Sequence, residues 1–149
     1  MRRLDAVEPP EVVVESALEE LSEGTCKELL QANHFGRIAV NGSEGPEIFP
    51  VNYWYEDDRI AIRTSPGTKL AAAAQNVVGF EIDHVDDEAR SGWSVLVVGN
   101  AYEVTNSIDT ISVAVQGAPI DSWAPGPKTS LVRIEPRSIS GRVLRSGRS

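Results

Sequence analysis

The feature that most constrains this sequence is a change of hydrophobic period after Gly36. Before it, Cys26, Leu29 and Leu30 recur at the spacing of one helix face. After it, apolar residues alternate in short runs separated by glycine, proline and acidic turns, a pattern typical of antiparallel strands. A chain of 149 residues with 41% hydrophobic residues is long enough to bury one core. We therefore predict a single, mainly β domain with short helices.

The element boundaries follow from caps and turns. A helix is expected from Leu21, with Ser22 as its N-cap and with Leu21 and Cys26 forming a hydrophobic staple. Further helices are expected over 68–74 and 107–115. Strands are predicted over 37–40, 47–55, 59–64, 77–83, 93–104, 130–134 and 139–144. Strands in this order, with two or three short helices, favour a closed antiparallel barrel with helices at its rim.

Two strands carry further expectations. Pro50 cannot donate a ladder hydrogen bond, so its strand is predicted to lie at a sheet edge or to contain a bulge. The apolar run Val95–Val98 is predicted to be buried on both faces. Together with Trp54 and Trp93, this run gives more apolar strand surface than one small core needs, which predicts a homodimer.

Charge and composition exclude several classes of protein. The net charge of −8 argues against a nucleic-acid partner, which needs a broad basic surface. No stretch approaches the roughly 18 apolar residues of a membrane span, and no signal-peptide core follows Met1, so a cytoplasmic location is expected. The single cysteine, Cys26, is expected in the core. Residues 1–20 are interpreted as an acidic arm, and residues 21–149 as the domain.

Three candidate sites are set aside. Asp83, His84, Asp86 and Asp87 offer metal-ligand chemistry, but their surroundings are typical of an exposed acidic loop, so no metal site is predicted. The stretch 92–96 resembles a nucleophile elbow around a serine, yet it lacks the second glycine and the strand-to-helix turn. His34 follows the helix end and is interpreted as a cap or surface residue.

Residues 63–69 form the segment richest in chemistry. A strand end, a glycine turn and a helix start follow one another there, so backbone N–H groups and the positive end of a helix dipole converge. Arg63 offers a fork of donors suited to phosphate oxygens, Lys69 a point charge, and Thr64 and Thr68 neutral donors. The segment favours an anion such as a phosphate. The alternative is a capped surface helix with ordinary basic residues.

Five motifs in order decide between these interpretations. They are Gly36-Arg37-Ile38-Ala39; Phe49-Pro50-Val51-Asn52-Tyr53; Ile62-Arg63-Thr64 with Gly67-Thr68-Lys69-Leu70; Ser91-Gly92-Trp93-Ser94-Val95 through Gly99; and Leu131-Val132-Arg133-Ile134 with Gly141-Arg142. Over about residues 21–145 the chain resembles the pyridoxamine 5′-phosphate oxidase-like family, in its small actinobacterial-type branch. The resemblance implies a six- to seven-stranded antiparallel split β-barrel that binds FMN.

The resemblance also implies a homodimer with the flavin in a groove between the two subunits. Val51 and Asn52 would lie beside the flavin ring and ribityl chain, and Ser94 would contact the ring from the partner chain. The phosphate would be held by Arg63, Thr64, Thr68 and Lys69. Trp123 is a candidate aromatic wall of the groove, and the alternative for it is a loop anchor packed on the barrel.

The implied activity is an FMN-dependent oxidoreductase acting on a small-molecule redox partner. No histidine follows His84, so the arginine-and-histidine motif that grips the substrate phosphate in the oxidase proper is missing, and vitamin B6 oxidation is not expected. Three alternatives stay open. They are a deazaflavin-dependent reductase, a non-catalytic flavin or haem carrier or sensor, and a barrel that has lost its ligand and serves as an interaction module. Whether the chain is an enzyme is left open.

Overall fold

The computed structural model describes residues 17–64, 70, 76–104, 120 and 130–146. Within these residues the elements are β1 (Ala17–Leu21), α1 (Glu23–Ala32), β2 (Phe35–Gly42), β3 (Gly45–Asn52), β4 (Trp54–Glu56), β5 (Arg59–Thr64), β6 (Val77–Asp86), β7 (Ser91–Val104) and β8 (Ser130–Arg145). Apart from Leu70, which lies in the core, the helices predicted over 68–74 and 107–115 are outside the described residues.

The strands form one antiparallel sheet in the order β3-β2-β6-β7-β8-β5-β4, and β1 pairs with β8 off this path. The two edge strands, β3 and β4, are consecutive in the chain and only Tyr53 separates them. The sheet must therefore curl until its edges meet at Tyr53. This curled sheet confirms the predicted split-barrel fold.

Tyr53 also ties helix α1 to the closure of the sheet. Its side chain is 1% exposed, and its hydroxyl donates a hydrogen bond to the Leu30 carbonyl in the last turn of α1, at 2.7 Å. Its backbone N–H donates to the His34 carbonyl, at 2.9 Å. The ring packs edge-on against Phe80, with centroids 4.9 Å apart. One residue therefore joins the helix, both sheet edges and the core.

Helix α1 begins as its sequence predicts. The Ser22 hydroxyl accepts a hydrogen bond from the Thr25 N–H at 3.1 Å, which confirms Ser22 as the N-cap. Cys26 is fully buried, as expected of a core residue. At the other end, the Asn33 side chain donates to the Leu29 carbonyl at 2.8 Å. A helix cap was one of the two interpretations of His34, but the side chain that makes this cap is that of Asn33.

The curl divides the sheet into two faces. One face surrounds the core, which includes the fully buried residues Phe80, Val95, Val97, Val132 and Ile134. We call the opposite side the outer face. Because side chains alternate along a strand, Ser94 and Leu96 of β7 lie on the outer face, one on each side of the buried Val95.

Several strand predictions are corrected by this arrangement. Leu96 is 46% exposed, so the Val95–Val98 run is buried on one face only and alternates. The predicted strand over 47–55 is divided at Tyr53, where the chain crosses from one sheet edge to the other. Pro50 lies in the edge strand β3, as predicted, and needs no ladder donor there.

The number of strands also differs from the six or seven predicted, because the described residues contain eight. The last two predicted strands are one continuous strand, β8, which also includes residues 135–138. Arg137 is an extra residue in it, because its neighbours Pro136 and Ser138 pair with the adjacent residues Gly99 and Val98. Residues 17–20, assigned to the arm, pair with β8 as part of β1. The remainder of the arm lies outside the described residues.

Candidate functional site

The structure brings together the ends of β3 and β5, where four of the predicted site residues lie. Trp54 of β4 pairs with Ala61 of β5, so continuing the same antiparallel register sets Asn52 opposite Arg63 and Val51 opposite Thr64. Strands β3 and β5 are in contact with each other, as this register requires. The predicted flavin-facing and phosphate-facing residues are therefore neighbours within one chain.

These four side chains divide between the two faces. Arg63 and Asn52 alternate with inward residues and lie on the outer face, where Arg63 is half-buried. Thr64 is 5% exposed and points inward, and Val51 packs partly against the core. On the outer face the site thus offers the Arg63 guanidinium and the Asn52 amide, which are donors suited to a phosphate and to carbonyl or hydroxyl groups.

The other predicted phosphate contacts, Thr68 and Lys69, lie outside the described residues, as does Trp123. Leu70, directly after Lys69 in the sequence, is 7% exposed and belongs to the core. Of the four residues predicted to hold the phosphate, the structure describes Arg63 and Thr64, and the assignment of a phosphate to residues 63–69 stays a prediction.

Ser94 lies far from this point on the same chain. It pairs with Arg142 on β8, whereas Arg63 pairs with Leu131 on the same strand. At about 3.3 Å per residue, the eleven steps from Leu131 to Arg142 span at most about 36 Å along the curled strand β8. The structure therefore does not bring Ser94 and Arg63 together within one chain.

Ser94 instead lines a separate outer-face groove of about 580 Å³ at the β1 end of the sheet. Its walls are apolar and it is rimmed by charged groups of both signs; the lining residues include Leu18, Val85, Trp93, Leu144, Asp83, Asp86, Asp87, Arg90 and Arg142. A groove of this size and lining suits part of a flat organic molecule.

A pair of carboxyl groups beside this groove was not singled out by the sequence. Asp83 pairs with Ser94 across β6 and β7, and Glu81 lies two residues away on the same face. Arg37 on β2 donates to both, at 2.8 Å to Glu81 and 3.5 Å to Asp83. Burial and the neighbouring Asp83 raise the pKa of Glu81 to about 7, against the opposing effect of Arg37. The alternation of charged residues along β6 was the signal available in the sequence.

An aromatic pair near Asn52 was also not predicted from the sequence. The rings of His34 and Trp54 are stacked, with centroids 5.3 Å apart and planes 6° from parallel. Trp54 directly follows the Asn52-Tyr53 pair, and His34 is bound through its carbonyl to Tyr53. His34 is exposed, so the interpretation as a surface residue is correct, but its location beside Asn52 needed the fold.

The sites set aside from the sequence have ordinary structural explanations. The Asp86 carboxylate accepts hydrogen bonds from the backbone of Glu88 and Ala89 and so shapes the β6–β7 turn. Among the residues that the structure describes, no group of three or more His, Cys, Asp and Glu side chains could hold a metal ion. Ser94 lies within the long strand β7 and not at a strand-to-helix turn. None of the helices in the described part of the chain is long and apolar enough to cross a membrane.

The curled antiparallel sheet, closed at Tyr53 and packed against helix α1, defines a split barrel. A family model for pyridoxamine 5′-phosphate oxidase matches residues 22–143. The chain therefore belongs to the pyridoxamine 5′-phosphate oxidase family, which confirms the resemblance drawn from the five motifs.

Individual relatives agree with this assignment. The solved structure of an FAD-binding protein from Mycobacterium smegmatis is 38% identical, with a TM-score of 0.69, over 85% of this chain and 97% of that one. A Corynebacterium glutamicum structure named for pyridoxamine 5′-phosphate oxidase is 36% identical, with a TM-score of 0.73, over 89% and 96% of the two chains. An uncharacterized protein of Mycobacterium tuberculosis is 31% identical over 137 residues, which are 87% of this chain and 88% of the relative.

Proposed function

We propose that this protein binds a flavin in a groove shared by two copies of the chain and acts as a flavin-dependent oxidoreductase. The observation that carries the proposal is the placement of Arg63 and Asn52 at one end of the sheet and of Ser94 at most about 36 Å away along β8. Because these positions pair eleven residues apart along β8, we infer that one flavin does not contact both of them within a single chain. A second chain can bring its own Ser94 to the first chain's Arg63.

The residues at the β3 and β5 ends fit the part of the cofactor that FMN and FAD have in common. Arg63 would pair with the phosphate next to the ribityl chain, and Thr64 stands beside it at the strand end. Asn52, on the outer face, would hydrogen bond the ribityl chain or the ring. When bound, the flavin supplies the electron transfer, and the protein supplies orientation and electrostatics.

The outer face supports the shared groove. Exposed apolar side chains lie along it, among them Leu96 at 46% exposure and the paired Leu18 and Leu144 near Ser94. Apolar surface of this kind is typical of a face that another chain covers. We infer that this face forms the homodimer interface and presents Ser94 to the partner's flavin.

The Glu81 and Asp83 carboxyls fit a redox role for that end of the groove. With a pKa raised to about 7, the Glu81 carboxyl keeps a proton up to near-neutral pH, two residues from the position opposite Ser94. Proton exchange accompanies many flavin reactions, and a group with a pKa near the working pH is the best donor or acceptor.

The first test is the absorbance spectrum of the purified protein. A bound flavin gives its own visible spectrum and supports the proposal. A deazaflavin or a haem spectrum would replace it by one of the alternatives left open by the sequence, and turnover with a nicotinamide donor separates an oxidoreductase from a carrier or sensor.

The second test addresses the phosphate contacts. Replacing Arg63 and Lys69 together by alanine removes two charge-assisted contacts, each worth about 1.5–3 kcal/mol. FMN affinity should fall about a hundredfold or more, since each 1.4 kcal/mol is a factor of ten. Riboflavin, which lacks the phosphate, should bind the variant and the wild type alike, and Lys27→Ala, a basic residue on α1, should change neither affinity. Equal losses for FMN and riboflavin would refute the phosphate assignment.

A further inference from the structure

Three ionisable side chains meet on the outer face of the sheet. Arg37 of β2 and Glu81 of β6 are cross-strand partners, and the Arg37 guanidinium donates to the Glu81 carboxyl at 2.8 Å and to that of Asp83 at 3.5 Å. Glu81 and Asp83 are two residues apart on one strand, so both carboxyl groups lie on the same side of the sheet. We call Arg37, Glu81 and Asp83 the outer-face triad.

The triad lies within the surface that a second chain is inferred to cover. Glu81 pairs across the strands with the exposed Leu96, and Asp83 pairs with Ser94. The side chains of Glu81 and Asp83 are each 32% exposed in the single chain, so they keep contact with water that a second chain would remove. A chain that covers Leu96 and Ser94 therefore also covers the triad.

One proton decides the net charge of the triad. With both carboxyl groups ionised, one guanidinium faces two carboxylates and the triad is negative, whereas a proton on one carboxyl makes it neutral. In the single chain, burial and then a hydrogen bond to Asp83 and its charge raise the pKa of Glu81 to about 7, against the opposing effect of Arg37. Removing the remaining water disfavours the ionised form further. A dimer should therefore bind this proton more tightly than the separate chains do.

The other charged groups near the triad balance one another. The strand neighbours of the triad on β3 and β7 are the uncharged Pro50, Leu96 and Ser94. Beyond Ser94 lies Arg142 of β8. The other charged side chains that line the groove with Asp83 are Asp86, Asp87 and Arg90. Among the described residues, these two aspartates and two arginines offset each other in charge, so the triad's own proton sets the balance at this point.

We propose that the outer-face triad makes the association of two chains depend on pH. Each chain of the dimer holds one proton on the Glu81 and Asp83 pair, and the loss of these protons above neutral pH separates the chains and opens the shared groove. Because the proton is bound more tightly in the dimer, affinity between chains is complete at acidic pH and falls as the pH rises. The proposal rests on the proposed function, since it needs the outer face to be the dimer interface, and it adds a control of that groove by pH.

The test measures the dimer dissociation constant of the full chain by sedimentation at about pH 6 and about pH 8, at one ionic strength. For the wild type the constant should rise about tenfold or more, since linkage of two protons per dimer allows up to about a hundredfold. Glu81→Gln keeps a donor for Asp83 and an acceptor for Arg37 but has no proton to lose, so its constant should be equal at both pH values. Asp83→Asn, which removes the other carboxyl, should also abolish the pH dependence.

The matched control is His84→Gln, because histidines ordinarily change charge over the same pH interval. His84 follows Asp83 on β6 and points to the opposite side of the strand, so this variant should keep the pH dependence of the wild type. A dimer too tight to dissociate on dilution is followed by the exchange of differently labelled chains, which should be faster at pH 8 than at pH 6 in the wild type and equal in Glu81→Gln.

The outcomes separate this proposal from the proposed function. A wild-type dimer of equal affinity at both pH values, or a pH dependence that Glu81→Gln and Asp83→Asn both retain, would overturn the role of the triad and leave the shared groove intact. A wild-type chain that is monomeric at both pH values would contradict the shared groove and the triad together.

Discussion

The Tyr53 hydroxyl should contribute measurably to stability, because it satisfies a buried carbonyl at the end of α1. The last four carbonyls of a helix have no partner within the helix, and Leu30 is among them. Burial also raises the pKa of Tyr53 well above its usual range, so the hydroxyl stays a donor at alkaline pH. Tyr53→Phe removes the 2.7 Å hydrogen bond and leaves the Leu30 carbonyl buried without this donor.

The expected cost combines a lost hydrogen bond with an unsatisfied buried acceptor. Together these effects predict a loss of about 1.5–2.5 kcal/mol in the free energy of unfolding. For a chain of this length the melting temperature should fall by about 4–8 °C. Chemical and thermal unfolding followed by circular dichroism, at one fixed protein concentration, measure both quantities.

Tyr102→Phe is the matched control, because Tyr102 is 42% exposed and its ring, which lies 5.0 Å from the Arg133 guanidinium, is kept. It should change stability by less than about 0.5 kcal/mol. If Tyr53→Phe were equally mild, the hydroxyl would not be the link between helix and sheet, and the account of how the two edges close would be wrong.

Two further changes test the outer face and the packing of α1. The pKa of Glu81 is raised to about 7, so the stability that its protonated form contributes is present below about pH 4.5 and is lost as the pH rises to about 7. Relative to Glu81→Gln, the wild type should lose about 1 kcal/mol in the free energy of unfolding over that interval, after allowance for solvent screening. Parallel curves of stability against pH for the two proteins would contradict this. Gly141→Ala sets a Cβ 2.6 Å from the Cys26 sulfur and should lower the free energy of unfolding by about 1–3 kcal/mol, part of which adding Cys26→Ala should restore. Gly79→Ala, whose new Cβ would have its nearest neighbour at 3.7 Å, should leave stability unchanged. Equal effects of the two glycine substitutions in calorimetry would refute this explanation.

Local signals made most of the fold predictable. The Ser22 cap, the edge position of Pro50 and strand β5, found at Arg59–Thr64 as predicted, each depend on residues close in sequence. The turn before β5 is of the same kind, since Asp57 and Asp58 adopt φ of 52° and 60° there.

The predictions were wrong where the structure depends on pairing between residues that are far apart in the sequence. Nothing local shows that residues 17–20 pair with β8, or that the chain changes sheet edges at Tyr53. The outward position of Leu96 likewise depends on which side the curled sheet closes, since an apolar run alone does not distinguish one buried face from two.

The candidate site shows the same division. The motifs identified Arg63 and Asn52, and the fold then set them side by side. The contact of Arg37 with Glu81 and Asp83 and the His34–Trp54 stack could not be predicted, because each joins elements that meet only in the folded sheet. The separation of Ser94 from Arg63 within one chain also became visible only from the register of β8.

The most direct test of the shared groove is flavin binding by a mixed dimer. One chain carries Arg63→Ala and Lys69→Ala, and the other carries Ser94→Trp, which fills the groove at Ser94. Each variant should bind flavin weakly as a homodimer. In the heterodimer, one groove contains all three substitutions and the other contains only wild-type residues. We therefore predict that each heterodimer binds one flavin with wild-type affinity. A heterodimer without any wild-type site, a Ser94→Trp homodimer that binds normally, or a chain that stays monomeric would contradict the account.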